Sequence, residues 1–583
     1  MQAPSPNRPP AKRKLPVLWI AVGTLIAILG LFLFQLFGPN PPIVVSKQTT
    51  FITEPLGEDG LPDYEAYLLE RGSEGVTPEN NAAVPFWKAM WPGLLEQEDW
   101  LPLCNALGIP KIATNRQPLG DPYDEAVRRL FTVDYAKHLA STLSEESDSE
   151  NFLSDEWQSK LSELSTQQIV DFAINRPWSG EQLPSVADWV NDRASSYDLL
   201  IESGRRQVYH SPSPTLLNGS PDLLWAVLLP DVQMHRYAAK VLKLRAMLLA
   251  GEDRGWDSWR NLLAAHSLAR HSTQTTGSSL VAHITGITIE THACQGTQAI
   301  LHSCAFTEEQ LLTILNDLND LPKISNCADA IDKGERLFFA DSGLYLAAAN
   351  PEEVANFMGD DHGSLAKVAR TRIDWNQVLR MGNLYYDKLV SAMKLSDRFA
   401  RQSKLQTIES ELIAEMKAES ASQTSLNLKL SMAKRSKAIG FILIAHLAPA
   451  AEAASNAEDR AYTQLELTKL AAALAVYRAE QGEYPEKLEQ LVPSVIPKLP
   501  IDLYSGESFL YQRKEDGGYL LYSVYENGID DGGADVSGEI IDGEYVDEAP
   551  ADFDEQSSDL VVRVPVPAFK FPELPSVEES DEE

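Results

Sequence analysis

Cysteine is scarce: Cys104, Cys294, Cys304 and Cys327 are the only four in 583 residues. Four thiols in so long a chain do not build a disulfide scaffold. Pairing of Cys294 with Cys304, pairing of Cys304 with Cys327, and free buried thiols all stay open. Positive charge is scarce as well, with 50 Lys and Arg against 84 Asp and Glu and a net charge of -34. Binding to a phosphate backbone needs clustered Lys and Arg, so nucleic acid is excluded as a partner. Adsorption of the globular part onto anionic lipid is disfavoured for the same reason. Half of the excess is local, because nineteen acidic residues from Glu526 onward face only Arg563 and Lys570.

Catalytic and metal signatures are missing too. There is no G-x-S-x-G, P-loop, H-E-x-x-H or G-x-G-x-x-G, and no C-x-x-C or C-x-x-C-H. His292 with Cys294 and His302 with Cys304 form two H-x-C pairs. Residues two apart on a helix point about 200° away from each other, so neither pair can chelate there. His266 and His271 stand five apart, off one face, and read as core. Ser391 and Lys394 fit S-x-x-K, but the companion motifs are absent. Trp87 with Trp91 and Trp256 with Trp259 have helical spacing, which most simply serves a core.

Long apolar runs are rare, and one stands out. Leu15 to Phe37, LPVLWIAVGTLIAILGLFLFQLF, is uncharged. As a helix it is about 34 Å long, enough to cross a hydrocarbon core of about 30 Å. Arg8, Lys12, Arg13 and Lys14 precede it, and Gly38-Pro39-Asn40-Pro41-Pro42 ends it. A cleaved signal peptide would carry a shorter apolar region and a small-x-small site. The positive-inside rule predicts residues 1–14 as a basic cytoplasmic tail and 15–37 as the transmembrane helix. The remaining mass is then extracytoplasmic on the inner membrane.

The chain has globular composition, 44% hydrophobic and 23% charged, and enough length for more than one core. Residues 38–62 read as a stalk. Residues 63–436 read as a mainly α-helical domain of helical hairpins. Tyr237–Ala250 and Trp256–Arg270 carry apolar residues at three- and four-residue spacing around a Gly251–Gly255 joint. A helix is expected over Ser279–His302, with Thr307 capping the next. No strict repeat period is present, so a regular solenoid is not implied. Ser141–Glu163 reads as a loop and solvated helix, and Lys404–Ser436 as a polar connector.

Residues 437–550 read as a small α+β domain. Leu467, Leu470, Leu474 and Tyr477 form one helical stripe; Gly482 suits a left-handed terminus, and Pro485 blocks continuation. Phe509–Tyr511 and Tyr519–Tyr525 flank an Asp516-Gly517 turn, predicting an antiparallel β-hairpin after the long helix. Residues 551–583 read as an acidic disordered tail.

The run YRAEQGEYPEKLEQLVPSVIPKLPIDLYSGESFLYQ, and after it GGYLLYSVYENGIDDGG, resembles the C-terminal domain of type II secretion major pseudopilins. The positions that carry the resemblance include Tyr477, Gly482, Tyr484, Pro485, Pro500, Asp502, Gly506, Tyr511, Ser523, Gly528 and Gly532. Tyr504 stands where that family has tryptophan and Leu503 where it has proline, and the signal that should open a pilin has only an internal echo at Gly440–Ile444. The segments TTFITEPLGEDGLPDY, RGSEGVTPENNAAVPFWKA and RIDWNQVLRMGNLYYDKLV resemble a group of planctomycete membrane-anchored proteins with no known activity.

Asp530, Asp531, Asp535 and Asp542 are interleaved with glycine. Calcium takes six to eight oxygens on a flexible loop. The pseudopilin resemblance implies calcium here, with Asp530, Asp531 and Asp535 as ligands and the Ser523 carbonyl as a further one. A solvated acidic turn is the competing reading. The function expected from these features is a membrane-anchored scaffold or adaptor that binds envelope proteins without catalysis. A type II secretion or pilus-like assembly component, and an exported enzyme with a non-local site, are the alternatives. Oligomeric state is not readable.

Overall fold

The computed structural model describes residues 15–91, 95–96, 98–110, 112, 119–143, 163–218, 223–224, 230–274, 279–357, 371–422, 431–448, 450–533, 539–541, 544–546, 559–566 and 568–571. The chain is mostly helical, with a small three-stranded antiparallel sheet and one apolar helix near its start. The basic segment 1–14, the middle of the serine-rich stretch (144–162) and Asp535 lie outside the described residues.

The apolar helix α1 is Leu15–Phe37. Its large side chains face outward, Trp19 being 70% exposed, as they would on a single-pass anchor or a signal helix. Its C-terminal end is tied to the body. Arg435 Nη2 donates to the Gln35 carbonyl at 2.7 Å, and the Arg372 amide donates to the Leu36 carbonyl at 2.8 Å. The Arg372 guanidinium also lies 4.8 Å from the centre of the Phe34 ring. The stalk segment continues this contact. Ile373 N donates to Asn40, and the Asn376 side chain bonds both Pro42 and Val44. Thr49 and Thr50 are buried, with Asn383 donating to the Thr49 carbonyl.

One hydrophobic core is built on helical hairpins. Helix α2 (Ala194–Arg205) packs on α4 (Gly255–Ser272), which also packs on α3 (Pro230–Gly251) and α5 (Leu280–Ser303), while α6 (Glu308–Asp320) packs mainly on the long helix Ala451–Gln481. Local signals set these ends. Ser279 caps α5 by accepting from Ala282 N, and Thr307 and Gln310 form a reciprocal capping box on α6. Trp87 and Trp259 are fully buried here, each contributing aromatic area to the core.

A second core gathers α7 (Trp375–Met393), α8 (Met432–Leu447) and residues 327–346. Helix Arg398–Ser422, which enters the stretch Lys404–Ser436 expected as a polar connector, buries Leu405 and Ile408 in this core while its other faces stay in water. With the half-buried Leu412 this makes three apolar side chains on a charged helix, too thin a stripe to read from sequence.

The long helix α9 (Ala451–Gln481) belongs to both cores. Ala451, Ala454 and Ala461 sit in the second, while Leu467, Leu470 and Leu474 sit in the first. Gly482 ends it with φ 84°, where a side chain would be strained. The strands come next: β1 (Leu510–Arg513), β2 (Tyr519–Ser523), β3 (Glu539–Ile541), β4 (Glu544–Val546) and β5 (Leu560–Val564). The three-stranded sheet has order β1-β2-β5, with Leu510 opposite Tyr522 and Ser523 opposite Leu560. β3 and β4 pair separately.

β5 lies inside the stretch expected to be an acidic tail. Its residues alternate, Leu560, Val562 and Val564 facing the first core and the other two half-exposed. Five residues of that pattern were outweighed in the sequence by the acidic residues around them. Phe571 stacks on His138, so the chain beyond β5 also reaches the first core. All four cysteines are free.

Candidate functional site

The predicted acidic loop follows β2, and its described part ends at Gly533. Asp530 Oδ1 accepts from the Tyr522 hydroxyl at 2.8 Å and from Gly532 N at 3.0 Å. Asp531 Oδ2 accepts from Asn527 Nδ2 at 2.8 Å. The sheet adds a third carboxylate that sequence spacing did not offer: Asp559, immediately before β5, accepts from Gly533 N at 2.8 Å. Its other oxygen is buried with no hydrogen-bond partner among the described residues. Burial, then the charges of Asp531 and Asp530, push its carboxyl up to about 6. An orphaned buried oxygen near two further carboxylates is the kind of donor that calcium takes, but the three do not bring ligand atoms within 4.8 Å of one another, so the loop would have to close to bind it. Asp530, Asp531 and Asp559 are the residues that would hold it.

A larger feature lies on the opposite kind of charge. Helices α2 and α4 approach closely at Gly204, where an added Cβ would lie 2.8 Å from the Ala264 backbone. Beside that crossing opens a cleft of about 640 Å³. Arg205, Arg206, Arg260 and Arg270 line it, together with one acidic residue, Asp317. Two of these arginines have a local reason to be there. Arg205 and Arg270 occupy the last turns of α2 and α4, where a cation complements the helix dipole.

The four differ in what they are committed to. Arg206 Nη1 donates to the carbonyls of Pro78 and Asn81, both at 2.9 Å, and its Nη2 pairs with Glu202 at 2.5 Å. Arg260 is 3.8 Å from Asp257. Arg205 is exposed and has no ion-pair partner among the described residues. Asp317 accepts from Trp259 Nε1 at 3.0 Å, so its charge is partly engaged. The cleft is therefore basic on a chain whose net charge is -34. An anionic group entering it would find the exposed guanidinium groups of Arg205 and Arg260 able to form charge-assisted hydrogen bonds, because Arg206 and Arg270 are already paired with Glu202 and Glu290.

Arg270 forms the floor and leads inward. It donates to Glu290 and, from Nε, to the Pro322 carbonyl at 2.8 Å. Glu290 also lies 3.1 Å from His266 Nδ1, whose Nε2 is 3.1 Å from the Thr297 hydroxyl. Burial would raise the Glu290 carboxyl, but His266 and Arg270 outweigh it and hold it at about 2. Every member of this buried triad has partners, so it supports the cleft floor rather than offering an open coordination site.

A second cavity of about 660 Å³ lies beside α3. Lys243, on its wall, is buried and donates to Asn175 Oδ1 at 2.6 Å and Gln295 Oε1 at 3.2 Å. Both acceptors are neutral amides. Burial lowers its ammonium to about 7, which leaves a large share of the amine uncharged near neutrality.

Sequence reading found the Asp530 loop but neither cavity. The cleft arginines lie on or just past two helices, and the signal was only a basic last turn on each. Ser391 and Lys394 of the S-x-x-K pattern are both exposed. No protein-family model, no curated protein and no solved structure matches the chain.

Proposed function

We propose that this chain is a membrane-anchored extracytoplasmic scaffold or adaptor without catalysis, and that it holds envelope proteins by an acidic segment seated in the arginine cleft. The observation that carries this reading is the cleft itself, four arginines gathered on a strongly acidic chain. Such a surface repels most proteins of like charge and selects those that present a compact negative segment. The basic residues before α1 support the orientation, with the body outside the cytoplasm on the inner membrane.

The test uses the full chain in its membrane, crosslinked and recovered by a tag. Arg205→Glu with Arg260→Glu reverses two exposed charges without touching the Arg206 and Arg270 contacts. Partner recovery should fall by on the order of tenfold, and added salt should mimic the loss. Recovery that ignores both charge reversal and salt would sink the reading.

A second reading, a component of a secretion or pilus-like assembly, is favoured by the long helix leading into an antiparallel sheet and the Asp530 loop. In that reading calcium orders the loop through Asp530 and Asp531. Recovery of secretion subunits that is lost on Asp530→Ala with Asp531→Ala would favour it. A third, an exported enzyme, rests on the Lys243 amine beside its cavity. Borohydride trapping of an aldehyde on wild-type protein but not on Lys243→Met would support it.

A further inference from the structure

One group of metal-ligating side chains lies away from the acidic loop, the arginine cleft and the Lys243 cavity, where three distant parts of the chain converge. His283 stands in the first turn of α5. Cys327 opens a one-turn helix after the loop that leaves α6, and Glu458 lies on α9. A ring nitrogen of His283, the Cys327 sulfur and a Glu458 carboxylate oxygen all lie within 4.8 Å of one another. Around a tetrahedral zinc ion, with bonds of about 2.0–2.3 Å, ligand atoms are about 3.3–3.8 Å apart. A contraction of roughly 1 Å closes the gap, within reach of side-chain rotation.

We propose that His283, Cys327 and Glu458 are a three-ligand site for a thiophilic divalent cation of the zinc type.

Four observations carry the assignment. First, the His283 ring is 1% exposed, yet its Nε2 has no hydrogen-bond partner among the described residues. Its Nδ1 reaches only the Ser325 hydroxyl, at 3.5 Å. A buried nitrogen with nothing to bind costs free energy unless something fills the place. Second, the donor set of imidazole, thiol and carboxylate is one that zinc accepts, whereas calcium and magnesium do not take sulfur.

Third, no cation among the described residues pairs with the group, although the Arg401 charge is felt at Glu458 and Cys327. Glu458 forms no ion pair among the described residues, and the nearby Arg401 is committed to Asp459 at 2.6 Å. The contrast with His266, Glu290 and Cys294 is direct. That cluster has the same three residue types, but both ring nitrogens are engaged and Arg270 supplies the positive charge. Fourth, the backbone already presents the groups to each other. Cys327 N donates to Glu458 Oε2 at 3.1 Å, and its thiol donates to the Ala454 carbonyl at 3.4 Å.

Burial keeps the imidazole neutral, which is the form that ligates. Burial also pushes the Cys327 thiol up, as do the Glu458 and Asp459 charges, so without a cation the thiol keeps its proton. Metal binding forms the sulfur–metal bond and releases that proton to solvent. Three protein ligands leave a fourth position for solvent or the second Glu458 oxygen. The ion would bind α5, the Cys327 turn and α9 together where the two cores meet, so it would act as a structural clasp.

The test takes the full chain, purified in detergent with its cysteines reduced and stripped by a chelator. Titration with cobalt should give one ion per chain and a thiolate-to-cobalt charge-transfer band in the near ultraviolet. Zinc should displace it. Cys327→Ser and His283→Ala should each abolish the band, and Cys294→Ser, in the other cluster, should keep it. Glu458→Gln is a partly exposed, conservative change and should weaken cobalt binding while the protein remains folded. Absence of the band in the wild-type chain overturns the proposal whatever the variants do. So does a band that survives Cys327→Ser, or one lost with Cys294→Ser.

Discussion

Two buried clusters in this protein use the same residue types and reach opposite electrostatic solutions. At His266, Glu290 and Cys294, a guanidinium reaches the carboxylate and both ring nitrogens find partners. At His283, Cys327 and Glu458, no guanidinium pairs with the carboxylate among the described residues, and a ring nitrogen is left over. The presence of histidine, cysteine and glutamate therefore says little about metal binding. What matters is whether the fold also delivers an internal cation. Where it does, the cluster is closed and stiffens the floor of the arginine cleft. Where it does not, the same side chains call for a cation from outside.

The comparison can be broken most forcefully at Arg270. Arg270→Leu strands a buried Glu290 charge and should cost about 3–5 kcal/mol of unfolding free energy in the full chain, read by denaturant titration. Adding Glu290→Leu should recover most of that loss, because the stranded charge goes with it. A double variant no more stable than the single one would show that the cluster is not closed by its own ion pair.

Metal removal should produce a smaller effect, and only at the other cluster. Zinc at a hundred times its dissociation constant adds about 2.7 kcal/mol to folding. Chelation should therefore lower the unfolding midpoint of the wild-type chain and leave His283→Ala unchanged. Equal sensitivity in both proteins would erase the distinction between the clusters.

Acid should separate them again. The Glu290 carboxyl is held at about 2, below its unfolded value, so its contribution is fully present above the ordinary carboxylate range, about 4.3. That contribution is lost as pH falls from there to about 2. The midpoint of the wild-type chain should decline over this window more steeply than that of Glu290→Gln. Parallel declines would mean that Glu290 is not the group responsible.

The smallest effect on stability is expected at the acidic loop, a third arrangement in which the exposed Asp530 and half-buried Asp531 stand near the buried Asp559. Asp530→Ala with Asp531→Ala should shift stability by less than about 1 kcal/mol without calcium. It should still abolish the heat of calcium titration, as should Asp559→Asn. Unchanged heat in these variants would remove calcium from the loop.

What was legible in the sequence was local. The 3-4-3 stripe of Leu467, Leu470, Leu474 and Tyr477 gave α9, Gly482 gave its end, and Thr307 gave the start of α6. The Asp516-Gly517 turn gave the β1–β2 hairpin. Each of these rests on neighbours within a few residues. The sites were less legible because their members are far apart along the chain. Cys327 and Glu458 are separated by 131 positions, so no ligand-spacing rule can join them. Asp559 is distant in sequence from Asp531 and enters the loop only because β5 pairs with β2. The cleft arginines gather from separate helices, and their sum becomes visible only where α2 crosses α4.

The tie between α1 and the body has a mechanical consequence. Gln35 and Leu36 are gripped by Arg435 and Arg372, and Asn40, Pro42 and Val44 are stitched to residues 373–376. With α1 in a bilayer, the body would then be a mast stepped into the lipid rather than a float on a line. Its height above the headgroups and its heading would turn only with the helix itself. A partner held in the arginine cleft, as proposed, would meet it at a fixed altitude, and any pull on that partner would be transmitted straight into the membrane.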